Sequence, residues 1–370
     1  MTAAWAGARR VLCIRLDSLG DVLMTTPALR AVQAGGRRVT LLTSRAGAAV
    51  GQLVPEVDEV WPYDAPWLKA TAPRDGALDR AFVERLRAAR FDAAIVFTVY
   101  SQNPLPAALL AFLADIPLRL AHCRENPYQL LTDWVKEREP EAGVRHEVRR
   151  QLDLVAHVGM RADCEQLSLQ TCPEDLVIAA AELRRRGVGL RPWVALHAGA
   201  TASSRRYPPE SYAAVVRALV GEHGVDVVLT GAADEAGLVA QIQAEAGVPS
   251  HSLAGRLPLG ALAAVLRRAA LLISNNTGPA HVAAAVGTPV VCLYALTNPQ
   301  HTPWGVPARV LSRPVPCANC YRSICPEGHH ECLRGVAPAA VVSAALELLR
   351  QRAAAKVQPR EVPACRPSTS

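Results

Sequence analysis

The chain alternates short, continuous apolar runs with longer segments whose apolar residues recur at helical spacing. RRVLCIRL at 9–16 has the pattern of a buried strand, and SLGDVLMTTPALRAVQ after it has the spacing of a helix. Further strand patterns lie at 37–44, 57–64 and 92–97, and a helical pattern covers 78–91 between the last two. This alternation predicts a parallel sheet with helices on both faces.

A second unit of the same kind follows a connective stretch at 165–192 that contains Pro and Gly residues. Strand patterns recur at 193–199, 226–231, 271–274 and 289–294, again separated by helical segments. At 370 residues the chain also exceeds the length at which one hydrophobic core usually stops growing. We therefore predict the α/β class, with two Rossmann-like domains facing across a cleft.

The same patterns give the expected domain boundaries. The first domain is expected over 1–175 and the second over 176–352, with a Cys-rich segment at 317–332 inside the second. The tail at 353–370 has no apolar periodicity, and we expect it to be disordered.

Composition and charge narrow the class of partner. The formal net charge is +7 with a pI of about 9.0, and Arg supplies most of the excess. Arg favours phosphate and carboxylate contacts, although a GC-rich genome explains its use equally well. No helix-turn-helix pattern or aromatic–basic interleaving is present, so we expect no nucleic-acid partner. An acidic small molecule or a membrane surface fits the charge better.

No segment has the length and composition of a membrane span. The longest apolar runs, 106–121 and 259–274, are interrupted by Asp115 and Pro117 and by Arg267 and Arg268, and both fall short of the ~18 to 20 residues that a span needs. The N-terminus also lacks the apolar core of a signal peptide. We expect a soluble cytoplasmic protein.

The first of three polar loops follows the first predicted strand, at RLDSLGD (15–21). Ligands of open α/β sheets bind at the carboxyl ends of strands, where such loops lead into helices. Gly20 allows a tight turn, and Ser18 or Asp21 can cap the helix that follows. Asp21 is therefore either a helix cap or, facing the cleft, a general base.

The second loop is HAGATASSRRYPPESY (197–212), where small residues allow a ligand close to the backbone. Arg205 and Arg206 precede the next helix, and Arg beside a helix N-terminus makes an anion site. Taken alone, the two residues are equally typical of a solvated surface.

The third loop joins a strand to an Ala-rich helix at SNNTGPAH (274–281). Thr277 and Gly278 end the strand, and Pro279 suits the first helical turn. This arrangement predicts a phosphate site at the helix N-terminus, with His281 as a donor to the ligand or as a core histidine. The dinucleotide-binding and P-loop glycine motifs are missing. The residues by themselves indicate a two-domain α/β enzyme for a phosphorylated, nucleotide-like ligand.

Several stretches together resemble a known family. RLDSLGDVLMTTPALRAV, HAGATASSRRYPPESYAAVV, LTGAADE, the segment 253–294 and TNPQHTPWG are similar, in this order, to glycosyltransferase family 9. That family includes the bacterial ADP-heptose:lipopolysaccharide heptosyltransferases, and the likeness covers about 9–350. It implies a GT-B fold, an inverting mechanism without a catalytic cofactor, an N-terminal acceptor domain and a C-terminal nucleotide-sugar domain.

The resemblance also implies partners. The donor would be an ADP-sugar, the acceptor an anionic glycolipid of the lipopolysaccharide core, and the location cytoplasmic with peripheral contact to the inner membrane. Two alternatives stay open: a glycosyltransferase of the same fold acting on a protein or another surface glycan, and an inactive, metal-stabilised GT-B binding protein.

The resemblance also implies roles for individual residues, which lie in the three polar loops and in one further segment. Asp21 would be the general base, with Ser18 and Gly20 beside it on the acceptor side, and Arg205 would stabilise the departing diphosphate. Many members have Asp where this chain has Asn276. The donor-binding positions would be Thr201, Arg206, Asp234, Glu235, Asn276, Thr277, Gly278 and His281, with Asp234 and Glu235 reaching the ribose.

Ten cysteines are many for a cytoplasmic protein, and four of them cluster in CANCYRSICPEGHHEC. The spacing of Cys317, Cys320, Cys325 and Cys332 is that of ligands for Zn or Fe. Reduced, partly buried thiols are the alternative. A metal here would be structural, because we expect the segment to lie outside the three polar loops.

Overall fold

The computed structural model describes residues 3–68, 73, 75–189 and 191–357. Within them the chain forms two compact units, the first ending at Ser168 and the second beginning at Leu169. Among the helices of this described part, none is long and apolar enough to cross a membrane.

The first unit is a six-stranded parallel sheet with the strand order β3-β2-β1-β4-β5-β6. Its strands are β1 (Arg10–Arg15), β2 (Arg38–Thr43), β3 (Glu59–Pro62), β4 (Ala93–Val96), β5 (Leu118–Cys123) and β6 (Asp133–Lys136). Its helices are α1 (Ala3–Gly7), α2 (Leu19–Gln33), α3 (Arg45–Gly51), α4 (Gly76–Ala89), α5 (Leu105–Leu113) and α6 (Glu147–His157).

The second unit repeats this topology with the order β12-β11-β10-β7-β8-β9, again parallel. Its strands are β7 (Trp193–His197), β8 (Asp226–Thr230), β9 (His251–Ser252), β10 (Leu271–Asn275), β11 (Val290–Leu293) and β12 (Ala308–Leu311). Its helices are α7 (Pro173–Arg185), α8 (Pro209–Gly221), α9 (Ala236–Ala246), α10 (Leu259–Arg268), α11 (Gly278–Ala285), α12 (Glu331–Arg334) and α13 (Pro338–Val357).

Each sheet has the strand order of a Rossmann fold, in which the direction of strand addition reverses between two central strands. The reversal lies between β1 and β4 in the first unit and between β7 and β10 in the second. These central strands are buried over nearly their whole length and mostly apolar, because helices cover both faces of the sheet. The prediction of an α/β chain with two Rossmann-like units is confirmed.

Two features differ from the sequence-based boundaries. The second unit begins ahead of residue 175, because α7 packs against α10 so closely that a Cβ on Gly260 would lie 2.1 Å from Asp175 Oδ2. The expectation of disorder from residue 353 is wrong for 353–357, where α13 continues to Val357. Three consecutive alanines, the strongest helix formers, carry the helix across these positions. Residues 358–370 lie outside the described part of the chain.

Candidate functional site

At the carboxyl end of β1, one buried arginine binds three carboxylates. The side chain of Arg15 is 0% exposed, and it lies 2.7 Å from Glu147, 3.0 Å from Asp17 and 3.2 Å from Asp21. Burial by itself would lower the pKa of Arg15, but the charges of Glu147, Asp17 and Asp21 raise it above its ordinary value. The guanidinium therefore stays charged and fixes the geometry of the loop between β1 and α2.

Asp21 occupies the first turn of α2, next to the buried Gly20. Its Oδ2 accepts hydrogen bonds from Ser18 N at 3.1 Å and Ser18 Oγ at 2.6 Å, while Oδ1 accepts from Arg15 at 3.2 Å. The contacts to Ser18 are those of a capping residue. The carboxylate nevertheless keeps 17% of its surface exposed, so it is held firmly and remains accessible.

Sequence reasoning overlooked Asp17, which precedes the cap. Its side chain is 15% exposed, and Oδ1 accepts a hydrogen bond from Gln102 at 2.5 Å. Burial raises the pKa of Asp17 to about 6; Arg15 and Gln102 oppose this rise, and the Asp21 charge adds to it. A carboxyl group with such a pKa titrates close to neutrality, as groups at functional sites often do.

In the second unit, Arg205 ends a short 3-10 turn at Ser203–Arg205 in the loop that follows β7. Its charge acts on Cys292 in β11 and on Tyr294 just after it, which indicates that Arg205 lies near the end of this strand. Burial raises the pKa values of Cys292 and Tyr294 to about 12. The next residue, Arg206, is exposed and donates from Nε to Ala200 O at 2.8 Å. The structure thus brings Arg205 toward the neighbouring strands and leaves Arg206 at the surface.

Asn275, the last residue of β10, organises this loop, and sequence reasoning overlooked it as well. Its side chain is fully buried; Oδ1 accepts from Tyr207 N at 3.1 Å and Tyr212 Oη at 3.0 Å, and Nδ2 donates to Ala198 O at 2.8 Å. Asn275 therefore ties the end of β10 to the segment that carries Arg205.

The N-terminus of α11 lies directly after Asn275. Thr277 is its extended N-cap residue, and Thr277 and Gly278 are half-buried while His281 is only 5% exposed. The side chain of Asn276 is engaged with the backbone of Ala295, donating at 2.9 Å and accepting at 3.2 Å. Its amide thus holds the loop after β11 against the start of α11.

The two residues predicted to reach the ribose, Asp234 and Glu235, differ in placement. Glu235 lies over the end of β7: its Oε2 is 3.5 Å from His197 Nε2, and a Cβ on Gly199 would come within 1.7 Å of Oε1. Burial lowers the pKa of His197, and the negative charge of Glu235 partly offsets this decrease. Asp234 is exposed, as is Thr201 in the loop after β7. Only Glu235 of this pair is packed against the loop.

The Cys-rich segment forms one wall of a small cavity of about 60 Å³, and its lining includes all four cysteines and His329. Burial, with the other three cysteines, raises the pKa of Cys332, and Cys317 Sγ lies 3.8 Å from His329 Nε2. Within the described residues, however, no three His, Cys, Asp or Glu side chains are arranged to hold a metal ion.

The expectation that this segment lies outside the polar loops is wrong. Ser323 O accepts hydrogen bonds from Ser204 N at 3.1 Å and from Ser203 Oγ at 3.2 Å. Tyr321 N donates to Leu296 O, in the loop after β11, at 2.9 Å. The spacing of the cysteines gave no sign of these contacts, because they are made through the backbone of the residues between them.

Two Rossmann-order sheets, each with buried charged or amide side chains at its point of strand reversal, define a two-unit α/β protein with polar groups where such sheets bind their ligands. The sequence profile of glycosyltransferase family 9 (heptosyltransferase) matches residues 80–331, more than half of the chain. The chain belongs to this family and is a glycosyltransferase.

Individual relatives agree with this assignment. The chain is 28% identical over 366 residues to lipopolysaccharide heptosyltransferase 2 of Escherichia coli K12, covering 93% of this chain and 100% of that one. It is also similar to the structure of E. coli ADP-heptose lps heptosyltransferase II, with a TM-score of 0.71, 25% identity and coverage of 93% and 99%. The prediction of the GT-B fold is thereby confirmed.

A more distant structural neighbour is relevant to the cysteine cluster because it is an iron-containing protein. The iron-containing dodecameric glycosyltransferase TibC of enterotoxigenic E. coli H10407 has a TM-score of 0.54 and 16% identity, covering 93% of this chain and 77% of that one. At this identity the likeness establishes the shared fold only.

Proposed function

We propose that the protein is an inverting glycosyltransferase that moves a heptose from an ADP-sugar to an acceptor of the lipopolysaccharide core. The observation that carries the proposal is the match over the full length of a lipopolysaccharide heptosyltransferase at 28% identity. The acceptor is an anionic glycolipid, so the enzyme works at the cytoplasmic face of the inner membrane, in peripheral contact with it.

On the acceptor side, Asp21 is the general base. The acceptor hydroxyl must lose its proton as it attacks the anomeric carbon, and a positioned carboxylate assists that transfer. Two contacts from Ser18 and one from Arg15 fix the carboxylate, which supports this role because a base contributes most when its geometry is set in advance.

On the donor side, Arg205 and the N-terminus of α11 stabilise the leaving diphosphate. Negative charge accumulates on the diphosphate in the transition state, where a fixed cation and helix N–H groups stabilise it most. The loop is already ordered by Asn275, which supports a preorganised site. We assign the remaining donor contacts to Thr201, Arg206, Asp234, Glu235, Asn276, Thr277, Gly278 and His281.

We further propose that Cys317, Cys320, Cys325 and Cys332 bind a structural Zn or Fe ion. Four thiols with a neighbouring imidazole are a donor set that both metals accept, and all five line one cavity. Since no three of these side chains converge in the described structure, binding requires them to turn toward one another. The metal would hold the segment that contacts Ser203 and Ser204, and no step of the transfer needs it.

The proposal is tested by incubating the purified protein with ADP-heptose and a panel of deacylated core acceptors, with the product identified by mass spectrometry. We expect one heptose to be added, and Asp21→Ala to abolish transfer while the affinity for the ADP-sugar stays within a few fold. Asp115→Asn is a matched control, since Asp115 pairs with Arg87 on the surface, ahead of β5. Near-normal turnover of Asp21→Ala would contradict the assignment of Asp21 as the general base. Transfer only to a protein or to other glycans would contradict the lipopolysaccharide core as the acceptor.

A further inference from the structure

A cavity of about 360 Å³ lies at the strand reversal of the first unit, between the carboxyl ends of β1 and β4. Its lining includes the polar residues Asp17, Thr98, Gln102 and Asn103, and apolar residues that include Trp67 and Phe97. Open α/β sheets bind their ligands at this position. Asp21 is not among the residues of the described chain that line the cavity, although Arg15 binds both Asp21 and Asp17.

Asp17 presents a carboxylate to this space in a fixed orientation. Arg15 Nε lies 3.0 Å from Oδ2, and Gln102 Nε2 donates to Oδ1 at 2.5 Å. A carboxylate oxygen can accept more than one hydrogen bond, so each oxygen of Asp17 can accept a further bond from a ligand hydroxyl.

Thr98 supplies an independent sign of a ligand. The residue is 9% exposed, and its Oγ1 has no hydrogen-bond partner in the described structure. A buried hydroxyl without a partner is unfavourable, and such groups in folded proteins call for a specific explanation. Because Thr98 lines the cavity together with Asp17, a hydroxyl group bound there would complete its hydrogen bonding.

The apolar part of the lining suits the carbon skeleton of a sugar. Trp67 is 37% exposed and lies beside Tyr63, with ring centroids 5.9 Å apart. A pyranose has hydroxyl groups around its edge and C–H groups on its faces, so a lining with both polar and aromatic side chains matches its two kinds of surface. Sites of this type bury most of a small ligand.

We propose that this cavity binds the sugar ring of the acceptor, that Asp17 and Thr98 hydrogen-bond its hydroxyl groups, and that the ring is an uncharged pyranose. The inference rests on the proposed function, since it names the ring that the transferase recognises. The lining residues of the described chain carry one acidic group and no cationic one. A sugar acid would place its carboxylate against Asp17, whereas a neutral ring only donates to it.

The test uses Thr98→Val, which removes the hydroxyl at nearly constant shape, and Thr98→Ser, which retains it. We expect Thr98→Val to raise the acceptor KM about three- to tenfold, the range for one hydrogen bond, with kcat and the KM for the ADP-sugar within twofold. Thr98→Ser should restore the acceptor KM. Asp17→Asn should raise it as well, and the surface variant Asp115→Asn should not.

Direct binding separates this inference from the proposed function. Ligand-observed NMR would compare methyl α-D-mannopyranoside, as a neutral pyranose, with methyl β-D-glucuronide, as a sugar acid. Binding of the mannoside that Thr98→Val weakens would support the inference even if no transfer to a core acceptor were found. Tighter binding of the glucuronide, or a mannoside affinity and acceptor KM within twofold of wild type in both Thr98→Val and Asp17→Asn, would overturn it. A lower thermal midpoint in Thr98→Val would overturn the assignment of an unpaired hydroxyl.

Discussion

Replacing Asp17 by Asn should change how the stability of the first unit depends on pH. Burial raises the pKa of Asp17 from 3.8 to about 6 in the folded protein, where Arg15, Asp21, Gln102 and Glu147 surround it. Because the folded state holds the proton more tightly than the unfolded state, the contribution of Asp17 to stability is fully present below pH 3.8. It is lost as the pH rises through about 6. Asn cannot titrate, so the variant lacks this pH dependence.

The magnitude follows from the two pKa values. They differ by about 2, and each pKa unit corresponds to about 1.4 kcal/mol, so the ionised Asp17 costs the folded state about 3 kcal/mol at pH 8. At pH 5 most Asp17 side chains are protonated in the folded state, and the same relation gives roughly half of this cost. Wild type should therefore lose about 1 to 2 kcal/mol more than Asp17→Asn between pH 5 and pH 8.

Urea unfolding at pH 5, 6, 7 and 8 measures this difference. Tryptophan fluorescence is a suitable signal, because four of the six tryptophans lie in the first unit. Asp115→Asn is the control: its carboxylate is 74% exposed in a surface ion pair, a type that contributes little. If wild type and Asp17→Asn gave parallel curves, or the variant lost more stability toward pH 8, the raised pKa of Asp17 would be refuted.

Three further predictions concern the second unit. Arg205→Ala should lower kcat about 100-fold, the scale for one transition-state donor; a rise in KM alone would make Arg205 a ground-state binder instead. Protein purified without added metal should contain close to one Zn or Fe per chain by elemental analysis, and Cys320→Ser should lower the thermal midpoint more than the activity per folded molecule. Metal-free protein of unchanged stability would reduce the cluster to ordinary thiols. Asn275→Ala should lower the free energy of unfolding by about 2 to 5 kcal/mol, because it leaves the buried Tyr212 Oη and Ala198 O without a partner. A loss below about 1 kcal/mol in denaturant titrations would show that Asn275 does not hold the loop.

The strands in the middle of each sheet were predictable, but four of the eight strands outside the two central pairs were missed: β5, β6, β9 and β12. Helices cover both faces of β1, β2, β7 and β10, so their sequences read as apolar runs. By contrast β5 contains the buried Arg119, whose guanidinium donates to Leu130 O at 2.9 Å and Gln129 O at 2.8 Å. A charge satisfied by distant carbonyl groups interrupts the apolar pattern without interrupting the strand.

The loops that carry the candidate site were predictable, but the residues that order them were not. Sequence reasoning chose Asp21 without Asp17 and Asn276 without Asn275. Asn275 and Asn276 are neighbours at the end of β10, where successive side chains point in opposite directions, so the residue type alone does not tell which one orders the loop. Asp17 is ordered by Arg15 and Gln102, and Gln102 is distant in sequence. The contacts of Ser323 were equally hidden, because a backbone carbonyl has no signature in the sequence.

The two units solve the same problem with different side chains. Arg15 is the last residue of β1 and Asn275 the last residue of β10, so each ends a strand beside the point of reversal. Both are fully buried, and both bind the loop on which a proposed functional residue lies, Asp21 in one unit and Arg205 in the other. A buried polar group at this position is unfavourable unless all its partners are in place, so folding itself sets the loop geometry. Each unit therefore orders the loop that carries its proposed functional residue before a substrate binds, which is the condition under which fixed charges stabilise a transition state most effectively.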